Sequence, residues 1–75
     1  MIRPAREGVE VYLCVEPVDM RKQINGLATL VQSYLEMDAF SSQLFVFSNR
    51  RRTQVRILVW ERSGFVLWTK RLGVL

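Results

Sequence analysis

Arg50, Arg51 and Arg52 stand side by side between two apolar, β-prone runs, Leu44-Phe45-Val46-Phe47 and Val55-Arg56-Ile57-Leu58-Val59-Trp60. Adjacent like charges repel, so the fold gains nothing from them unless something anionic lies opposite. If the flanking runs are strands, the arginines form a cationic tip on a rigid hairpin, a shape suited to a phosphate backbone. Arg56 on the following strand can support them. Lys70 and Arg71, beside Trp68, place two more cations next to an aromatic ring that could stack on a nucleic acid strand. The candidate nucleic-acid-binding set is therefore Arg50, Arg51, Arg52, Arg56, Lys70 and Arg71. Plainer alternatives stand beside it. A solvated turn keeps an apolar hairpin soluble. Trp60 and Trp68 are placed to pair across a hairpin turn and to pack a core or an interface. Contact with three to five phosphates predicts a slope of log K on log salt of about −3 to −4.

Other chemistry finds little support. Metal-assisted strand transfer needs clustered acids holding magnesium. Asp19 and Asp38 are the only aspartates, and the glutamates are scattered. The chain has no histidine, which excludes a histidine-based acid–base pair and, with a single cysteine, a zinc site. Cys14 falls in a strand-like run with no histidine to activate it, so it reads as a buried structural thiol. No glycine-rich phosphate loop is present. Arg21 and Lys22 follow Asp19 near a helix start, where a salt bridge to Glu16 or Asp19 is the structural reading and a phosphate contact the functional one. The expectation is a protein that is not an enzyme by itself and that uses no metal or cofactor.

Length and charge set the frame. Seventy-five residues, 49% of them hydrophobic, make one small globular domain over 1–75 with a limited core. Such a chain often needs help from a partner. The net charge of +4 is unevenly spread. Residues 1–38 sum to −2 and residues 39–75 to +6, where Glu61 is the lone acid. That asymmetry suits either a polyanion or the acidic half of a second copy. No apolar run reaches membrane-spanning length and no segment reads as a signal peptide, which points to a cytoplasmic protein with Cys14 reduced.

The elements that must position these residues follow from periodicity. An N-terminal arm is expected over 1–8. Residues 9–15 alternate, with Val9, Val11, Leu13 and Val15 on one face and Glu10, Tyr12 and Cys14 on the other, which predicts a half-buried strand. Pro17 stops it, and Asp19 is a candidate N-cap. Ile24, Leu27, Leu30, Val31, Tyr34 and Leu35 recur at three- and four-residue steps and predict a helix over 20–37, starting at Met20 or after Asn25-Gly26. Phe40 is expected to tuck inward from the loop that follows. Three strands are expected over 43–48, 54–61 and 65–70, the last two joined through Arg62-Ser63-Gly64 with Gly64 free to take a positive φ. The fold class is α+β, ordered β-α-β-β-β, with one main amphipathic helix on a mostly antiparallel sheet. The later strands are apolar on both faces. One helix covers one face, so the other should meet a second copy, a missing segment, or water at a cost; a homodimer is the expectation.

Taken together, Pro17-Val18-Asp19-Met20-Arg21-Lys22, Gly26-Leu27-Ala28, Leu44-Phe45-Val46-Phe47, Arg50-Arg51, Ile57-Leu58-Val59-Trp60 and the stretch from Gly64 to Leu72 resemble one family. It is the TnpB (Orf two-like) accessory proteins of bacterial insertion sequences of the 66 type. The resemblance covers nearly the whole chain from Gly8 onward. It implies a role in transposition beside a separately encoded transposase, and it brings no active site with it. Members of that family run on past the Lys70-Arg71-Leu72 block with a basic and aromatic continuation, whereas this sequence closes on Gly73-Val74-Leu75, so the resemblance implies a C-terminally short member. The leading expectation is a non-catalytic accessory factor that binds DNA through its basic second half and assists the transposase. The rivals are a protein–protein interaction module and a truncated remnant, both without direct DNA binding.

Overall fold

The computed structural model describes residues 8–73. Its elements are β1 (Val11–Leu13), α1 (Ile24–Ser33), β2 (Leu44–Ser48), β3 (Gln54–Glu61) and β4 (Gly64–Arg71), the α+β order β-α-β-β-β. Residues 1–7 of the arm expected over 1–8 lie outside the described residues. The strands form one sheet in the order β1-β2-β3-β4. β1 runs parallel to β2, while β2–β3 and β3–β4 are antiparallel. Parallel neighbours need a long crossover, antiparallel ones only a short turn. The crossover from β1 to β2 contains α1, which is laid on one face of the sheet.

Strand alternation sends Phe45, Phe47 and Leu58 to the helix side, where they meet Leu27 and Val31 of α1. All five are at most 1% exposed. Burial of each such side chain contributes about 1.5–3 kcal/mol. Cys14, Val18 and Ala39 close the rim of this core. On the opposite face no element among the described residues lies over the sheet, although Val46 and Val59 are buried there, at 9% and 4% exposed. Val46, Ile57 and Trp68 form a row across β2, β3 and β4, and Leu13 extends it onto β1. Leu13 is 63% and Trp68 65% exposed. The two-sided apolar pattern of the strands thus resolves into one face covered by the helix and one partly open face.

Several expectations are corrected by these details. The helix is Ile24–Ser33 rather than 20–37. Asp19 caps a preceding turn instead, accepting the Arg21 N–H on Oδ1 at 2.9 Å while Lys22 N–H reaches the Asp19 carbonyl at 3.1 Å. At the other end Glu36 takes a left-handed φ of 54° and Met37 N–H returns to the Val31 carbonyl at 3.0 Å. Met20, Leu35 and Met37 nevertheless pack on the core, which is why the apolar spacing outruns the helix. Regular pairing in β1 covers Val11–Leu13 rather than 9–15. Of its two faces the Tyr12 and Cys14 side is the buried one, in line with the reading of Cys14 as a buried thiol. Cys14 is 3% exposed. Trp60 and Trp68 are not partners across the turn: Trp60 faces Phe65, and Trp68 faces Ile57 on the other side of the sheet. Phe40 stays 52% exposed but packs edge-on against Trp60, with ring centroids 4.9 Å apart. Among the described residues no helix is long and apolar enough to cross a membrane.

Candidate nucleic-acid interface

The β2–β3 connection is built by one asparagine. Asn49 Oδ1 accepts the backbone N–H groups of Thr53 at 2.8 Å and Gln54 at 3.1 Å, and its Nδ2 donates to Thr53 Oγ1 at 2.8 Å. Arg52 N–H closes the turn onto the Asn49 carbonyl at 3.1 Å. Short polar side chains bond neighbouring backbone in this way at turns. Arg50 and Arg51 occupy the centre of the turn, and Arg52 is held at a left-handed φ of 57°. A residue with a Cβ rarely takes that conformation unless its surroundings over-determine it. All three arginine side chains are exposed. Asn49 carries the one sequence signal of this tie, an asparagine just before a charged run.

Strand register then delivers two more cations to the same end of the sheet. The last residues of β4 pair with the first of β3, Lys70 opposite Val55 and Arg71 opposite Gln54. Leu72 N–H continues the ladder to the Thr53 carbonyl at 2.8 Å. Arg50, Arg51, Arg52, Lys70 and Arg71 therefore share one end of the molecule, although alternation sends Lys70 and Arg71 to opposite faces. Lys70 borders the open face and Arg71 the covered side. Among the described residues the one ion pair is Arg21 with Asp19, at 2.7 Å. None of the five clustered cations is neutralised by an acid there.

Arg56 is not brought into this exposed group. It lies on the covered face between Phe47 and Thr69. Its Nη1 donates to the Lys22 carbonyl, and its Nε is buried without a hydrogen-bond partner among the described residues. It ties β3 to the segment before α1. Arg21 is likewise engaged: its guanidinium grips both oxygens of Asp19. Those hydrogen bonds, with the Arg21 backbone N–H, hold the Asp19 carboxyl down at about 2. The phosphate reading of Arg21 gives way to the salt-bridge reading at this position.

The IS66 Orf2 like protein family model matches residues 9–74, which include the whole basic end of the sheet. The chain belongs to this family. Two uncharacterized proteins of Sinorhizobium fredii (strain NBRC 101917 / NGR234) are similar to this IS66 Orf2-like chain. With y4jC it is 40% identical over 72 residues, covering 96% of this chain and 61% of that protein. With y4hO it is 32% identical over 69 residues, covering 92% and 60%. The IS66 Orf2-like chain thus spans about three fifths of the length of these relatives. No solved structure matches it.

Proposed function

We propose that this chain is a non-catalytic, cytoplasmic accessory factor of insertion-sequence transposition that grips the DNA backbone with the basic end of its sheet. The carrying observation is the convergence of Arg50, Arg51, Arg52, Lys70 and Arg71 on one end, with no acid pairing them among the described residues. Membership in the IS66 Orf2-like family supports the transposition context. The absence of histidine from the whole sequence and the burial of the single cysteine support a role without chemistry of its own. A separately encoded transposase is the partner this role calls for, with the element's DNA held between them.

The contacts are to phosphate, so binding is indifferent to sequence and steep in salt. The test is a duplex-binding titration of the chain across a range of salt concentrations. The slope of log K on log salt is expected at about −3 to −4. Replacing Arg50, Arg51 and Arg52 together with alanine should bring it to about −1, for every duplex tried. A triple variant that binds like the wild type sinks the assignment of the Arg50–Arg52 tip, and a wild-type chain that shows no salt-dependent duplex binding removes DNA from the reading. The second result leaves the transposase to be tested by co-purification.

A further inference from the structure

The open face of the sheet has a polarity that its apolar centre conceals. Along β3 and β4 the residues on that face run from Glu61 at one end, through the buried Val59, the half-buried Ile57 and Val66 and the exposed Trp68, to Lys70 at the other. One negative and one positive group thus bracket an apolar strip that no element covers among the described residues. Such a surface is complementary to itself when turned end for end, which is the requirement of a two-fold interface.

We propose that a second copy of this chain covers the open face, related by a two-fold axis running across the strands. Two sheets pack face to face about 10 Å apart, with their strand directions within about 30° of parallel or antiparallel. An axis across the strands lays β4 near β4 of the partner copy in the reverse direction. Each Lys70 then approaches the other copy's Glu61, and Ile57, Val66 and Trp68 are closed from water. The competing axis, along the strands, would stack the two Arg50–Arg52 tips at that same spacing. This is close to the Debye length of about 8–10 Å near physiological salt, so their repulsion would be poorly screened. Charge therefore selects the reversed arrangement.

The consequence is bivalency. β3 and β4 have eight residues each, a strand length of about 26 Å. The reversed dimer carries its two basic ends at opposite poles, separated by at least that distance. With the DNA-binding reading above, on which this clause alone rests, one dimer holds two separate duplex segments rather than doubling its grip on one.

Sedimentation equilibrium of the 75-residue chain without DNA tests the dimer. Twice the chain mass is expected at micromolar concentration. Ile57→Lys, which puts a charge at the centre of the strip, should give the single-chain mass with an unchanged far-ultraviolet circular dichroism spectrum. Two gentler variants fix the axis. Lys70→Glu and Glu61→Lys should each weaken dimerisation about tenfold, and the double exchange should restore it to within about twofold of the wild type. A chain that stays monomeric at hundreds of micromolar overturns the proposal. So does a double exchange that is weaker than both single variants. Neither result depends on DNA, so loss of the dimer and loss of duplex binding are read separately.

Discussion

The two hairpin turns of this sheet share one left-handed backbone conformation and differ in charge and in how they are tied. Both hold an arginine in the left-handed region, Arg52 at 57° and Arg62 at 55°. The β3–β4 turn is two residues, Arg62 and Ser63, closed by the Glu61–Gly64 pair. Its single arginine is followed by a serine and preceded by an acid. The β2–β3 turn is longer and is tied internally by Asn49 and Thr53. None of those ties uses an arginine side chain. The tip would therefore keep its shape if its charges were removed, which means that the charges are not there for the shape. Two left-handed arginines at opposite ends of β3 separate conformation from charge within one molecule.

The largest contrast should come from charge reversal. Arg50, Arg51 and Arg52 changed together to glutamate should abolish duplex binding in a fluorescence anisotropy assay. Arg62→Glu, at the far end of the sheet, should alter it less than about threefold at physiological salt, because of screening. Comparable losses at the two turns would break the comparison. Next comes the tie itself. Asn49→Ala leaves the Thr53 and Gln54 N–H groups without their acceptor and should cost about 1–2 kcal/mol in urea denaturation. Ser63→Ala should stay within about 0.5 kcal/mol. A smaller and sharper test is glycine at the two left-handed positions. Arg52→Gly and Arg62→Gly should each stabilise by about 0.5 kcal/mol through relief of strain, partly offset by a freer unfolded chain. Only Arg52→Gly should also lower the salt slope of binding, by about 1.

The smallest effect lies outside both turns. The folded-state pKa of Asp19, about 2, is below the ordinary 3.8 because the Arg21 guanidinium and N–H bind the ionised form. Its contribution to stability is therefore complete above pH 4 and fades as the pH falls from about 4 towards 2. Asp19→Asn should remove that part of the acid dependence and leave duplex binding at pH 7 unchanged, a control on both turns.

Much of this architecture is legible in the residues, and the gaps have physical causes. The order of elements follows from where the apolar period changes from about 3.6 to 2. The cationic turn follows from charges bracketed by β-prone runs. What alternation cannot supply is the side that the helix takes. β1 shows this best: Val11, Leu13 and Val15 form the more apolar face, yet Tyr12 and Cys14 are the ones turned to the core. Register is equally hidden until the turn length is known, and a two-residue turn after Glu61 sets Trp68 against Ile57 rather than Trp60. Arg56 illustrates a third gap. Its place in a basic run suggests exposure, but the odd-even alternation of β3 puts it opposite Lys22 on the covered side. The helix ends were overrun because Met20, Leu35 and Met37 pack on the core from turns, a case in which burial outlasts the helix that first establishes its spacing.

The parallel pairing of β1 has a kinetic consequence. Val11 finds Leu44 across more than thirty intervening residues, whereas β2, β3 and β4 are joined by turns of a few. Closing the long loop costs more chain entropy than closing either hairpin, and only three residues of ladder are gained in return. The meander should be in place at the folding transition state while β1 is still searching. Truncations in β1 should then accelerate unfolding and leave the refolding rate almost untouched.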